Sequence, residues 1–134
     1  MKIVIDTNVF ISGIFFSGPP FQILEAWRDD KVQVIISPQI MDEYRRVAEI
    51  ISKERPIIEL TKIIDFLIHK AELIEAPDLP ESVCEDSDDD KFLACALASG
   101  CKLIVSGDKH LLKVTGYREI EVLKPKAFLD KYLA

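Results

Sequence analysis

Short aliphatic runs punctuate the chain, and each is closed by polar residues. Lys2-Ile3-Val4-Ile5 ends at Asp6, Val34-Ile35-Ile36 at Ser37-Pro38, and Leu103-Ile104-Val105 at Ser106-Gly107-Asp108. Uninterrupted runs of this length, separated by helical stretches, predict buried parallel strands of an α/β sheet. A further strand is expected near Ile120 to Leu123. Between the runs, residues 20–29 read as a helix around Phe21, Ile23, Leu24 and Trp27, entered through the turn Ser17-Gly18-Pro19-Pro20. Pro38 suits the first turn of the next helix, along which Ile40, Tyr44, Val47 and Ile51 make one apolar stripe. Pro56 opens another, running to about Ala71, and Ala76-Pro77-Asp78-Leu79-Pro80 is a loop. Ser87 or Asp88 can cap a helix that Gly100 stops after Ser99. A short helix after Asp108 and a last one from about Pro125 complete the chain. With no repeat, low-complexity tract or linker, residues 1–134 are expected to form one three-layer α/β/α domain on a mostly parallel sheet of four or five strands.

Bulk properties change this picture only in places. A length of 134 residues fits one core and hence one main site. No apolar run is long enough to span a bilayer and no basic-then-apolar leader opens the chain, so a cytoplasmic protein with no membrane partner is expected. Cys84, Cys95 and Cys101 lack C-x-x-C spacing and lie far along the chain from His69 and His110, which predicts reduced structural thiols rather than disulfides or zinc. The net charge of -6 looks unfavourable for a nucleic-acid partner. Five of the acids, however, fall within Glu85 to Asp90, and without them the remainder is close to neutral. Such concentration suits a cation site as well as a solvated loop.

Ligands of open parallel sheets bind at the carboxyl ends of the strands, so residues just past a strand end come first as candidates. Asp6 and Asp108 lie there. Glu43 follows the second strand, beside the apolar stripe of its helix, whereas Asp42 points away from that stripe. Asp88, Asp89 and Asp90 begin the helix leading into the strand that ends before Asp108. Each acid also has a plainer role. Asp6 and Asp108 can cap the turns that follow them, Asp90 can close a capping box with Ser87, and Glu43 can favour the start of its helix through the dipole. Converging carboxylates repel one another, however, and hard divalent cations with oxygen ligands, Mg²⁺ or Mn²⁺, relieve that repulsion.

The residues around these acids resemble the PIN-domain nucleases across essentially the whole chain. Ile3-Val4-Ile5-Asp6-Thr7-Asn8-Val9 is similar to that family's first-strand signature, and Ile36-Ser37-Pro38 through Glu43 to its second strand and helix. Asp90-Lys91-Phe92-Leu93-Ala94-Cys95-Ala96 is similar to its third motif and Ile104-Val105-Ser106-Gly107-Asp108 to its fourth. The run Asp-Asp-Asp-Lys-Phe-Leu resembles in particular the toxin components of toxin-antitoxin pairs, the VapC-like subgroup. The resemblance implies an endoribonuclease that hydrolyses RNA by a metal-activated water. Asp6, Glu43, Asp90 and Asp108 would be the metal-site acids, with Asp89 or Asp88 as alternatives for the third place. Thr7, Asn8 and Ser106 would support them by hydrogen bonding. Arg45, Arg46, Lys109 and His110 are candidates for phosphate contacts. An antitoxin protein and self-association as a homodimer or higher oligomer are the implied protein partners, with Phe15-Phe16 or the helix from Pro56 as candidate surfaces. A haloacid dehalogenase-like phosphotransferase needs a second Asp where Asn8 stands, and a receiver domain needs an acid where the second strand ends in Ser37. The remaining rival is a non-catalytic PIN-fold RNA-binding or scaffold protein.

Overall fold

The computed structural model describes residues 1–54 and 60–133. Five strands form one sheet in the order β3-β2-β1-β4-β5, with every pairing parallel. They are β1 (Lys2–Ile5), β2 (Gln33–Ile36), β3 (Glu72–Leu73), β4 (Leu103–Val105) and β5 (Glu121–Leu123). Ile3, Val4 and Ile5 of β1, Val34 and Ile35 of β2, and Ile104 and Val105 of β4 are fully buried, which is why their runs do not alternate with polar residues.

The helices are α1 (Thr7–Phe15), α2 (Pro19–Arg28), α3 (Pro38–Glu54), α4 (Leu60–Lys70), α5 (Asp90–Ser99), α6 (Lys109–Leu112) and α7 (Pro125–Phe128), and they flank the sheet as a three-layer α/β/α fold. Helix α2 starts on Pro19 and Pro20, and α3 starts on Pro38 with the Ser37 hydroxyl accepting from Ile40 N at 3.3 Å. Helix α5 stops where Gly100 turns left-handed at φ 71°, a conformation that costs glycine little. Tyr44 of α3 stacks on Phe10 of α1 at 4.1 Å between ring centroids and donates its hydroxyl proton to Ile5 O. That stack, which contributes about 0.5–1.5 kcal/mol beyond area burial, fixes α3 over the end of β1.

Three places differ from the sequence expectation. A helix, α1, follows β1 immediately; the sequence offers Asp6 as a cap but predicts no helix there, because the apolar residues run almost all round it and leave no stripe to read. Strand β3, only two residues long and half-exposed, was not expected either. The helix ahead of β4 starts at Asp90, after a 3-10 turn over Ser87–Asp89 capped by the Asp86 side chain, so neither Ser87 nor Asp88 caps it. The expected start of α4 at Pro56 lies outside the described residues.

Helices α1 and α2 meet at Gly13. A Cβ there would lie 2.7 Å from Leu24 Cδ1 and 2.9 Å from the Pro20 carbonyl oxygen, so the crossing has no room for a side chain. Because α1 carries Asp6 and Thr7 at its amino end, this packing also bears on the position of the acids. Gly13→Val is expected to lower the unfolding free energy by about 1–3 kcal/mol, read from urea denaturation, as overpacking typically does. Unchanged stability would mean that the two helices separate without cost.

Candidate active site

The strand order reverses direction between β1 and β4, because the chain crosses from β1 to β2 on one side and later returns to place β4 on the other. A crevice therefore opens above the carboxyl ends of these two strands. Asp6 is the first residue past β1. It continues the ladder through its N–H, which donates to Val105 O at 3.1 Å, and its Oδ1 caps α1 by accepting from Val9 N at 2.8 Å. The side chain is only 4% exposed. Its second oxygen accepts from the Ser106 hydroxyl. Burial pushes the Asp6 carboxyl above its ordinary range; the bonds from Ser106 and Val9 offset this in part, and the nearby Asp108 charge adds to it.

Ser106, fully buried at the end of β4, ties two acids together. Besides donating to Asp6 it accepts from Asp108 N at 2.9 Å, and Asp108 in turn caps α6 by accepting from His110 N at 2.7 Å. Thr7 performs the matching task on the other side, donating its hydroxyl to Glu43 Oε2. A cleft of about 220 Å³ results, lined by Asp6, Thr7, Asn8, Glu43, Val47, Asp89, Phe92 and Asp108. Asn8 is exposed and reaches the cleft at its rim.

The third acid in this cleft is Asp89, not Asp90. The Asp90 carboxylate is turned onto the preceding loop, where it accepts from Val83 N at 3.2 Å and from Cys84 N at 2.7 Å, and it lines a different hollow with Gln39, Leu79 and Ala94. Asp88 also stays outside the cleft, exposed and paired with Lys91 at 3.0 Å. In Asp89, by contrast, Oδ2 is buried without a hydrogen-bond partner among the described residues. His110 Nδ1 stands 3.7 Å from that oxygen and 3.7 Å from Asp108 Oδ1, near enough for charge attraction but beyond a hydrogen bond. Burial, then the charges of Asp108 and Asp86, push the Asp89 carboxyl up to about 6.

These features fit a cation. An orphaned carboxylate oxygen belongs to a residue that lines a cleft with three further acids, two of the four carboxyls are hard to ionise, and all the candidate ligand atoms are oxygens of the kind that suits Mg²⁺ or Mn²⁺. Among the described residues, the group that brings three ligand atoms within 4.8 Å of one another is Asp86, Asp89 and His110, which shares only Asp89 with the cleft.

Of the basic residues considered for phosphate contact, Arg45 is directed at Asp65 of α4, at 3.8 Å, and away from the cleft. Arg46 lies 3.6 Å from Glu43, and His110 sits among Glu85, Asp89 and Asp108. Lys109 is exposed at the start of α6. Lys91 was not singled out from the sequence, yet its Nζ lies 2.5 Å from Glu43 Oε1. Its only signal was its place in the third motif.

A match to the PIN domain over residues 2–110 gives this architecture its class, and the chain belongs to that family of nucleases. An uncharacterized protein of Methanocaldococcus jannaschii is 28% identical over 147 residues, covering 98% of this chain and 92% of the relative. Among solved structures, PAE2754 from Pyrobaculum aerophilum is similar at a TM-score of 0.67 and 12% identity, over 99% of this chain and 90% of its own. VapBC2 from Rickettsia felis, crystallised with a DNA fragment from its promoter, contains a chain similar at a TM-score of 0.58 and 15% identity, over 92% of this chain and 98% of its own. At these identities the two structures speak to the fold. Among the described residues no single helix is long and apolar enough to cross a membrane.

Two consequences can be measured without substrate. An acid that is harder to ionise in the folded state than in the unfolded chain lowers stability as the unfolded chain ionises first, and for Asp89 that loss accumulates between about pH 4 and about pH 6. Without divalent ions, Asp89→Asn is therefore expected to melt above the wild type at about pH 7.5 and level with it at about pH 3.5, by calorimetry. Equal melting temperatures at both pH values would remove the strain assigned to Asp89. Asp90→Ala strands the Val83 and Cys84 N–H groups and is expected to cost about 1–3 kcal/mol in urea denaturation at neutral pH.

Proposed function

We propose that the chain is a metal-dependent endoribonuclease that hydrolyses phosphodiester bonds of single-stranded RNA, with Asp6, Glu43, Asp89 and Asp108 surrounding the scissile phosphate. The observation that carries this reading is the unpartnered, buried Asp89 oxygen in a cleft with three other acids. A cation held among these four acids would satisfy that oxygen. Membership of a nuclease family supports the same reading.

Mg²⁺ or Mn²⁺ held by these carboxylates would supply Lewis-acid charge to the phosphate oxygens and favour ionisation of the attacking water. The chain's own residues do the rest. Ser106 and Val9 N orient the two oxygens of Asp6, and Thr7 orients Glu43, so that neither acid has to be ordered when substrate binds. Lys109 and Arg46, both exposed near the cleft acids, offer positive charge to the flanking phosphates. The place of Asp90 in the sequence-based site passes to Asp89, and Asp90 keeps a structural role under the loop.

A toxin role, with an antitoxin as protein partner, belongs to the same proposal. So does self-association, as a homodimer or higher oligomer. Exposed apolar side chains such as Phe16 and Phe66 leave surface for such contacts. The expected result is that purified protein cleaves single-stranded RNA with Mn²⁺ or Mg²⁺ and not with a chelator. Asp6→Asn is expected to slow cleavage by about 10²-fold or more while circular dichroism stays native. Equal cleavage by the wild type and Asp6→Asn, with contaminating nucleases excluded, would overturn the mechanism. Binding of RNA without cleavage would instead favour the non-catalytic reading.

A further inference from the structure

Both oxygens of Glu43 are engaged. Thr7 donates to Oε2, and the Lys91 ammonium lies 2.5 Å from Oε1. These partners are not equivalent. The threonine hydroxyl is neutral and can stay while a cation shares the carboxylate, but an ammonium group and a divalent ion at one oxygen repel each other. Lys91 is also well placed to leave. It lies between two acceptors, Glu43 at the cleft and Asp88 outside it, with Asp88 Oδ1 3.0 Å from Nζ. The Glu43 side chain is 12% exposed and that of Asp88 is 65% exposed, so the lysine spans from an enclosed acid to a solvated one. Its flexible stem needs only a rotamer change to give up the first and keep the second.

The pairing is too enclosed to be an ordinary surface bridge. Both the lysine and Glu43 are less than 15% exposed at the side chain, whereas Arg46, the other cation on Glu43, is 62% exposed and sits 3.6 Å away. Removing the Lys91 charge therefore leaves Glu43 with solvent-screened compensation only.

We propose that Lys91 is the resident counter-ion of the metal-free site, occupying Glu43 until a divalent cation displaces it onto Asp88. The inference rests on the reading that Glu43 is a metal-site acid. It assigns Lys91 a positioning role: the lysine holds the Glu43 carboxylate in place when the site is empty, and it sets how tightly the cation is held by competing with it. A lysine that merely braced the fold would act in the opposite sense, since its loss would disorder Glu43 and weaken the cation.

The test is titration of Mn²⁺ into the chelator-treated protein by calorimetry, on the wild type, Lys91→Met and Lys91→Gln, with Arg46→Met as the charge control. Both Lys91 variants are expected to bind Mn²⁺ about tenfold more tightly than the wild type, and Arg46→Met to change affinity by less than about threefold. In the same proteins the metal-free melting temperature should fall in the Lys91 variants and be recovered by Mn²⁺. Should Lys91→Met fail to fold, Lys91→Gln, which can still donate to Glu43, decides alone. Wild-type binding of Mn²⁺ with equal or weaker binding by the Lys91 variants would overturn the displacement and leave the metal reading standing. No Mn²⁺ binding by any of the proteins would remove both.

Discussion

A negative charge at the end of the central strand is the constraint around which this molecule is arranged. Asp6 stands just past β1, the middle strand of the five, and is almost wholly removed from water. Burying a carboxylate there is costly unless donors or cations meet it. The fold supplies two donors from different directions: the Val9 N–H from the first turn of α1 and the Ser106 hydroxyl from the end of β4. Each ties Asp6 to an element that carries another acid or its support. Ser106 leads to Asp108 through its backbone N–H, and Thr7, next to Asp6, leads to Glu43. Asp6, Asp108 and Glu43 are thus joined through Ser106 and Thr7 into one network, and Asp89 stands beside it without a side-chain hydrogen bond among the described residues.

Parallel pairing makes that chain possible. Because β1 and β4 are neighbours and run the same way, their carboxyl ends lie side by side, and residues a hundred positions apart come within hydrogen-bond reach. The reversal of strand order at this pair leaves the space above it free of crossover connections. Tyr44 then brings α3 to the same edge by donating to the Ile5 carbonyl, immediately before Asp6, while its neighbour Glu43 faces the cleft. The core contact and the site contact are adjacent positions of one helix, so packing of the first orients the second.

Much of this was legible in the residues, for reasons that also mark the limits. Aliphatic runs that do not alternate reveal strands buried on both faces, and β1, β2 and β4 announced themselves in this way; β5, whose run is broken by Glu121, was expected on weaker grounds. Strand β3 has two residues at the sheet's edge, too few for any period. Helix α1 was missed because a helix apolar around its circumference shows no stripe and because no loop separates it from β1. Asp6 and Asp108 were candidates from strand-end position alone, and Glu43 from the face of its helix. Choosing among Asp88, Asp89 and Asp90 was different, since three successive acids satisfy any spacing rule equally. The choice depends on helical phase, and the 3-10 turn over Ser87–Asp89 sets that phase: α5 begins with Asp90 against the loop and leaves Asp89 toward the cleft. A turn of this kind has no signature in a run of acidic residues, any of which can cap.

The same geometry explains why the acids are electrostatically unequal. On the α3 side, Glu43 is matched by a partly buried ammonium and a hydroxyl, and on the α5 side Asp89 has only a histidine beyond hydrogen-bond reach. Asp6 and Asp108 lie between, each with backbone or hydroxyl donors but no cation of their own within bonding distance among the described contacts, save the distant His110 near Asp108. Uncompensated charge therefore concentrates near Asp89 and Asp108, and there the Asp89 carboxyl is pushed upward by burial and then by the Asp108 charge. An approaching cation gains most at that corner, because among the described contacts it meets there no lysine or arginine, only His110 beyond hydrogen-bond reach, and it relieves repulsion that is already present. At the Glu43 corner it has to exchange with one. The cleft is thus graded from open to occupied, and the grading follows from which strand or helix end each acid stands on.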